Sequence, residues 1–304
     1  MPSLKLVHKI KEPVPRRMVA LAQSKDAVLV SVDDDDCEDS DEGEESCAVE
    51  LNEVGDFFTP VAEHRKGVAT HIMVLGASGS GKSTWAGTYA KAWRERHPEG
   101  VVICVSLDVE DDPAIKCDMR VHPLTAAEMD LDEIGEDGAL FIFDDAMGSG
   151  DKLVNESLAA LMRAIHERGR RKNISSLNLT HRGTDGKATK SALGEMTGIV
   201  LFPALPPTAS TTYVLQNYAG INPALLQLLK KDRAGWGRSV FINLTAPGAI
   251  IGARKAMLLD NDAISAAAGN ARERRRAKVE SLRGAEEGAS GRRLADVVAA
   301  ARAR

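Results

Sequence analysis

The sequence predicts an α/β fold in which a mostly parallel central sheet is flanked by helices on both faces. Short apolar segments recur between residues 66 and 262 without strict polar alternation, which is typical of strands buried on both faces. Segments with helical periodicity separate them, and parallel strands need such crossover connections. The apolar fraction of 43% is ordinary for a globular protein, so the chain can build a large core.

The predicted elements alternate along the chain, as expected for repeated strand–helix–strand units. We expect strands at 71–75, 101–107, 139–143, 174–179, 198–202 and 239–244. We expect helices at 82–96 and 151–168, with a further helical stretch between 202 and 239.

Composition divides the chain into three parts. Residues 1–65 hold a basic arm and two strand-like segments, AVLVSV and CAVELNEV, on either side of an acidic insert at 33–46. Ten acids lie between Asp33 and Glu45, and such a segment buries too little apolar area to order itself, so a disordered loop is expected. Residues 66–262 form the α/β core, and residues 263–304 form a basic, Ala/Arg-rich helix or tail.

The charge is segregated along the chain. A net charge of -5 taken alone would argue against a nucleic-acid partner. Without the ten acids of the tract, however, the remaining chain carries about +5, so the mean charge is misleading. Residues 270–304 hold ten Lys/Arg against five Asp/Glu. A tail of this kind is a weak nucleic-acid signal, because charged Ala/Arg helices are often simply solvated.

Cysteine usage and hydropathy predict the compartment. The four cysteines form no C-x-x-C pair and no zinc-type spacing with histidines, which favours a reduced, intracellular protein. No apolar segment approaches the roughly 20 residues that span a bilayer, and the N-terminus lacks the apolar region of a signal peptide. We therefore expect a soluble protein without a membrane span.

A phosphate-binding loop is predicted between the first core strand and its helix. The segment GASGSGKS at 76–83 fits G-x-x-x-x-G-K-[ST] in the required strand–loop–helix context. Lys82 would reach the β- and γ-phosphates of ATP, Ser83 would bind Mg²⁺, and Thr84 would lie near the α-phosphate. The alternative is a glycine-rich turn that binds nothing. The predicted nucleotide-binding residues are Gly76, Ala77, Ser78, Gly79, Ser80, Gly81, Lys82, Ser83 and Thr84.

Acidic and basic residues near later strand ends complete the predicted site. FIFDDA places Asp144 as a Mg²⁺ ligand and Asp145 as a general base. His181, after the strand at 174–179, becomes a γ-phosphate sensor if that strand lies between the other two. A surface histidine is the plainer interpretation.

The helix at 151–168 leads into HERGRRKN, whose arginines either complement the helix dipole or supply an arginine finger to a neighbouring subunit.

The motifs, taken in order, resemble the genome-packaging ATPases of large double-stranded DNA viruses, the poxvirus-type and giant-virus members of the FtsK-HerA superfamily. The similar segments are GASGSGKS, FIFDDA, RGRRKNISSLNLTHRGTDGKATK, TGIVLFP and YVLQNYAGINPALLQLLK, within residues 70–250. The resemblance places the arginine of the family's GRH-x-N-I-S segment at Arg170. Arg171 stands where the family has histidine, and His181 stands where glutamine or histidine is typical.

This resemblance implies a P-loop NTPase core at 66–262, of the additional-strand, RecA-like type. It also implies an ATP-driven, hexameric ring that translocates viral double-stranded DNA into a preformed capsid. Its partners would then be DNA, further copies of the chain and capsid or portal-vertex proteins, in the virion or at the viral assembly site.

Two other functions use the same motifs. A nucleoside or small-molecule kinase also needs a P-loop, Mg²⁺ and arginines, together with an acceptor pocket and a mobile lid. The doubled acid favours water as the acceptor instead. A non-catalytic assembly protein would bind ATP without turning it over.

Overall fold

The computed structural model describes residues 3–8, 18–22, 27–32, 48–51, 58–60, 68–108, 112–134, 137–146, 149–181, 183, 193–203, 209–219, 221, 223–231, 233–245 and 248–259. The predicted acidic insert at 33–46 and the predicted basic tail at 263–304 lie outside these residues.

Fourteen strands and six helices are present within the described residues. The strands are β1 (Ser3–His8), β2 (Met18–Ala22), β3 (Ala27–Val32), β4 (Ala48–Glu50), β5 (Phe58–Pro60), β6 (His71–Leu75), β7 (Val101–Ser106), β8 (Met119–Val121), β9 (Ala139–Asp144), β10 (Ile174–Thr180), β11 (Gly198–Leu201), β12 (Val240–Asn243), β13 (Ala249–Ile251) and β14 (Lys255–Leu258). The helices are α1 (Lys82–Arg96), α2 (Pro123–Ala127), α3 (Lys152–Arg168), α4 (Ala209–Asn217), α5 (Pro223–Lys231) and α6 (Arg233–Trp236).

The central sheet has ten strands in the order β4-β14-β13-β12-β11-β6-β10-β9-β7-β8. The strands from β11 to β8 in this order are parallel to one another. The other four, β12, β13, β14 and β4, extend the sheet by antiparallel pairing. The predicted mostly parallel sheet is confirmed, whereas the antiparallel extension beyond β12 was not predicted.

Helices cover both faces of the sheet, as the sequence predicts. Successive side chains of a strand point to opposite faces. In β9, Leu140 and Ile142 pack in the same core cluster as Trp93 of α1. Phe141 and Phe143 instead pack in the cluster that contains the buried side chains of α3. A third cluster contains buried side chains of α4 and α5. The side chains of β6 alternate between this cluster and the one that contains Trp93. The third cluster therefore lies on the face of the sheet opposite α1, which is also the face that α3 covers.

The two long helices begin and end where local sequence signals place them. In α3, the buried positions recur at helical spacing, and the Asp151 carboxylate caps the first turn by accepting a hydrogen bond from the Leu153 amide at 2.8 Å. The bounds predicted for β6 and α1 are confirmed, and α3 begins one residue later than predicted because Asp151 is its cap. The other predicted core strands are confirmed to within one residue.

A smaller antiparallel sheet, in the order β1-β3-β2-β5, precedes the core. The AVLVSV strand is confirmed as β3, and the described part of CAVELNEV contains the short β4, which pairs with β14 of the central sheet. The Phe58 amide donates to the Ala253 carbonyl and the Leu51 amide to the Arg254 carbonyl, both at 2.8 Å. The N-terminal segment is therefore hydrogen-bonded to the β13–β14 turn.

Candidate active site

The loop between β6 and α1 has a backbone shape that only glycine adopts without strain. Gly79 and Gly81 have φ angles of +70° and +107°, in the region that other residues rarely occupy. At Gly76, an added Cβ would lie 2.7 Å from a ring carbon of Phe202, closer than real contacts allow. The glycines predicted from the motif are thus required by the conformation.

Arg238, just before β12, holds this loop from one side. Its Nε donates to the Ser80 carbonyl at 2.8 Å and its Nη2 to the Gly79 carbonyl at 2.9 Å. In a planar trans peptide the N–H points opposite to the C=O. The amide of Gly81, which shares a peptide with the Ser80 carbonyl, therefore points away from the guanidinium and is available to an anion on the other side.

Lys82 is the first residue of α1 and the centre of a polar network. Its side chain is only 6% exposed, and its ammonium lies 3.1 Å from the Gly76 carbonyl oxygen, 3.2 Å from His181 Nδ1 and 3.5 Å from Asp145 Oδ2. The structure thereby brings together three residues that the sequence assigns to phosphate binding, base catalysis and sensing.

His181 connects the lysine to the predicted base. Its Nε2 lies 2.8 Å from Asp145 Oδ2. The Lys82 ammonium lies beside the same ring, 3.2 Å from Nδ1 and 3.4 Å from Nε2. His181 and Asp145 are 44% and 41% exposed, so water reaches both side chains.

The strand order explains why these residues meet. β10 lies between β6 and β9, as the sensor assignment requires. The last residues of β10 also hydrogen-bond to the loops that follow β6 and β9. The Gly76 amide donates to the Thr180 carbonyl and the Asp145 amide to the Leu179 carbonyl, each at 3.2 Å. His181 follows directly and therefore lies at the same sheet edge as the glycine loop.

The two adjacent carboxylates differ in environment. Asp144 ends β9 in a half-buried position, and burial raises its pKa, with a further upward contribution from the Asp145 carboxylate. Asp145 has a φ angle of +44°, which turns the chain sharply after the strand and separates the directions of the two side chains.

Ser83 and Asp144 fit the chemistry of a Mg²⁺ site. Among the described residues, no group of three or more His, Cys, Asp or Glu side chains could hold a metal. Mg²⁺ bound with a nucleotide needs fewer protein ligands, because phosphates and waters complete its shell. A divalent cation would also stabilise the Asp144 carboxylate, whose charged form is disfavoured by burial and by Asp145.

The arginines predicted as finger candidates lie far from this edge. Arg170 is exposed in a 3-10 turn (Gly169–Lys172) that leads into the start of β10, whereas the site lies beyond the end of that strand. Seven residues of strand separate the two ends, about 20 Å at 3.3 Å per residue. Arg168, at the end of α3, lies 3.9 Å from an Asp132 carboxylate oxygen.

Arg238 is the site residue that sequence reasoning missed. It is 158 residues from the Ser80 carbonyl that it contacts, and no local pattern connects the two. The nearest signal is the Trp-Gly-Arg segment before a strand, where Gly237 has a φ angle of +77°. That signal indicates a turn but not what the next side chain contacts.

The fold and the loop together define a class. A glycine loop joins β6 to an α-helix that begins with Lys82, and one inserted strand separates β6 from the acid-bearing β9. This is the P-loop NTPase fold of the additional-strand type, with a mostly parallel sheet between helical layers. Within the described residues, no helix is both long and apolar enough to cross a membrane.

Comparisons with known proteins give distant relatives. No protein-family model matches the chain. It is 27% identical over 168 residues to a Sputnik virophage protein named only as uncharacterized protein V3, a match that covers 54% of this chain and 68% of the relative.

Three solved structures of low sequence identity are similar to this chain. One is the genome packaging NTPase B204 of Sulfolobus turreted icosahedral virus 2 with ATP-gammaS (11% identity, TM-score 0.40, 60% of this chain and 96% of that chain). Another is the pCW3 conjugation coupling protein TcpA with ATPgS (14%, 0.41, 80% and 77%). The third is the cytoplasmic domain of the Thermomonospora curvata type VII secretion ATPase EccC (13%, 0.43, 80% and 29%).

Proposed function

We propose that this chain is a Mg²⁺-dependent ATPase that moves double-stranded DNA, in the manner of a viral genome-packaging motor of the FtsK-HerA type. One observation carries the catalytic part of the proposal. Lys82, Asp145 and His181 meet within hydrogen-bonding or ion-pairing distance at the edge of the P-loop.

Each of these side chains has a task in hydrolysis. Lys82 binds the β- and γ-phosphates, and the loop amides cradle them at the positive end of α1. Ser83 and Asp144 are the residues that would hold Mg²⁺, which would supply positive charge beside the phosphates. His181 lies beside Lys82 and can donate a ring N–H to a γ-phosphate oxygen bound there.

Asp145 is suited to activate water. Its carboxylate is 41% exposed and next to the lysine that binds the γ-phosphate. As the oxygen of the attacking water bonds to the γ-phosphorus, the bond from phosphorus to the bridging oxygen breaks, and the water proton passes to Asp145. A water-accessible acid at this place favours hydrolysis over transfer to a bound acceptor, which is the kinase alternative.

Arg170 supports a ring arrangement. About 20 Å of strand separates it from its own phosphate site, so it cannot reach that γ-phosphate. An arginine on the opposite edge of the sheet can instead contact the nucleotide of the next subunit in a ring. Arg170, in the segment GRRKNIS, matches the arginine of the family's GRH-x-N-I-S segment. This match supports an arginine finger that one subunit supplies to the next.

The DNA and viral parts of the proposal rest on sequence. The motif order resembles genome-packaging ATPases, and the similar virophage protein also comes from a viral source. A capsid or portal-vertex partner, a hexameric ring and a place in the virion or the viral assembly site follow from that resemblance.

The test is phosphate release from ATP with and without linear double-stranded DNA, together with the oligomeric mass in ATP and Mg²⁺. We expect turnover without any added acceptor, acceleration by DNA, and a ring-sized mass. Lys82→Ala should abolish turnover because the phosphates lose their cation. Lys91→Ala is the matched control, since Lys91 is an exposed lysine of the same helix.

Other outcomes point to the alternatives. Turnover that requires a nucleoside or another acceptor would identify a kinase. Nucleotide binding without turnover, with or without DNA, would identify a non-catalytic assembly protein. DNA-independent turnover by a monomer would contradict the motor.

A further inference from the structure

The tip of the P-loop is exposed. Residues 77–79 are open to solvent, and a Cβ added at Gly79 would meet nothing within 4 Å. The Ser80 amide donates to the Ala77 carbonyl at 3.2 Å, which closes a turn within the loop itself. An exposed backbone segment with such open surroundings has low local stability. A contact from outside the loop can therefore determine how firmly it keeps its shape before a ligand binds.

The guanidinium of Arg238 makes such a contact. Besides its hydrogen bonds to the Gly79 and Ser80 carbonyls, it lies directly against Gly81. The three atoms nearest to a Cβ added at Gly81 all belong to this guanidinium, at 3.2, 3.4 and 3.5 Å. A planar group that donates from two nitrogens to two successive carbonyls fixes both peptide units at once, which the single ammonium of a lysine does less well.

These hydrogen bonds act on a donor that an anion would use. The Ser80 carbonyl and the Gly81 amide belong to one planar peptide unit, so a cation bound to the carbonyl fixes the direction of the amide N–H. The same hydrogen bond polarises the peptide, and a polarised peptide is a stronger donor. Arg238 can thus act on a bound phosphate through the backbone of the loop.

A tight turn between α6 and β12 determines where Arg238 lies. Trp236 is buried in the core, and its carbonyl accepts a hydrogen bond from the Ala253 amide at 2.9 Å. Gly237 follows with a φ angle of +77°, and a Cβ added there would lie 2.5 Å from the Ala253 Cβ. The backbone before Arg238 is therefore fixed by the β13–β14 turn, to which the N-terminal segment is also hydrogen-bonded.

We propose that Arg238 is a positioning residue for phosphate binding, which holds the P-loop in its binding shape before the nucleotide arrives, and that the β13–β14 turn sets its position. The inference rests on the proposed nucleotide-binding function and adds a residue outside the P-loop motif on which affinity depends. It makes the antiparallel extension of the central sheet a support of the phosphate site.

The test measures the binding of two probes by calorimetry in Mg²⁺, AMP-PNP and inorganic tripolyphosphate. Arg238→Met keeps a long side chain but removes the charge and both donors. The loop must then become ordered as the ligand binds, and ordering the backbone of one residue weakens affinity by about 10-fold. We expect a loss of this size for both probes, because the change acts on the phosphate cradle. Arg163→Met, at an exposed arginine of α3, is the matched control.

Three readouts separate positioning from a general structural role. Arg238 is exposed, so Arg238→Met should melt within about 2 °C of wild type when no ligand is present. In steady-state ATP hydrolysis its KM should rise by about 10-fold while kcat stays within about threefold, because the bound triphosphate orders the loop before the chemical step. Arg238→Lys should recover part of the affinity, because an ammonium can still donate to one of the two carbonyls.

The role of the turn is tested by a double-mutant cycle. Gly237→Ala strains the turn and shifts Arg238, so it should also weaken both probes. Combined with Arg238→Met it should cause little further loss, because both substitutions remove the same contact. Gly194→Ala is the matched control, since an added Cβ there meets nothing within 4 Å. Losses that simply add would show that the turn does not act through Arg238.

The outcomes distinguish this inference from the function on which it rests. If wild type binds neither probe, nucleotide binding itself is wrong, and the inference with it. If wild type binds both probes and Arg238→Met binds them as tightly as Arg163→Met does, the P-loop function stands and the positioning role is wrong. A loss for AMP-PNP alone would also overturn it, and so would a fall in kcat larger than the rise in KM.

Discussion

Asp145→Asn is the sharpest test of the proposed hydrolysis. The substitution keeps the size of the side chain, and asparagine tolerates the φ angle of +44° at this position. What it removes is the negative charge that lies 3.5 Å from Lys82 Nζ and 2.8 Å from His181 Nε2. An amide cannot take the proton of the attacking water, so the chemical step should fail while the P-loop stays intact.

The expected magnitudes differ for chemistry and for binding. Loss of a general base lowers turnover by roughly 10² to 10⁴, or about 3 to 5 kcal/mol of barrier. In the free protein Asp145 lies against the Lys82 ammonium, and a nucleotide that binds must compete with it for that cation. The Asp145 carboxylate is 41% exposed, so its attraction for Lys82 is worth about 1 kcal/mol or less. Nucleotide affinity should therefore stay unchanged or tighten, by about fivefold at most.

Single-turnover hydrolysis and AMP-PNP titration measure the two effects separately. Asp137→Asn is the matched control, because Asp137 is an exposed aspartate in the turn before the same strand, at its far end. Hydrolysis by Asp145→Asn within about fivefold of the control would refute the assignment of the base. A loss of AMP-PNP affinity equal to the loss of turnover would show that the substitution damages the loop instead.

Two further predictions test assembly and pH dependence. Arg170→Ala should bind nucleotide normally but lose most turnover, and mixing it with Lys82→Ala subunits should restore part of it, because an intact Lys82 site can use a neighbour's arginine; mixed rings as inactive as their parts would contradict this. Burial, and secondly the charge of His166, lowers the pKa of His71 to about 3, so the unfolded chain binds more protons and stability falls as pH drops below 6.5. At pH 5 the loss due to His71 alone is about 2 kcal/mol. His166, whose pKa burial lowers to about 4, contributes a separate loss over the same range. His71→Asn should therefore reduce, but not abolish, the slope of a urea-unfolding profile below pH 6.5, and an unchanged slope would contradict the assignment.

The local parts of the site were predictable, because their signals lie within a few residues. The spacing Gly76, Gly81 and Lys82 fixes the loop, and the strand before it and the helix after it confirm the context. Asp145 and His181 were assigned from strand ends, and the sensor assignment required the strand before His181 to lie between the other two, which the strand order β6-β10-β9 fulfils. The two residues lie together because parallel strands of a sheet end at one edge.

The parts that were missed depend on contacts between distant segments. Arg238 reaches a loop 158 residues away. The antiparallel strands β13 and β14 are three and four residues long, too short for periodicity to separate them from loops. Their places are set by pairing with neighbours, which a single sequence does not reveal.

The pairing of β4 with β14 has a consequence for how the chain folds during synthesis. The Leu51 carbonyl accepts a hydrogen bond from Arg254, 203 residues later. A strand made early must therefore wait until nearly the whole core has left the ribosome before it finds its partner. Closing so long a loop makes this pairing a late and slow event. Until it forms, the edge of β14 has unpaired backbone groups that can pair with another chain, so the nascent protein is prone to aggregate between the synthesis of β14 and its pairing with β4.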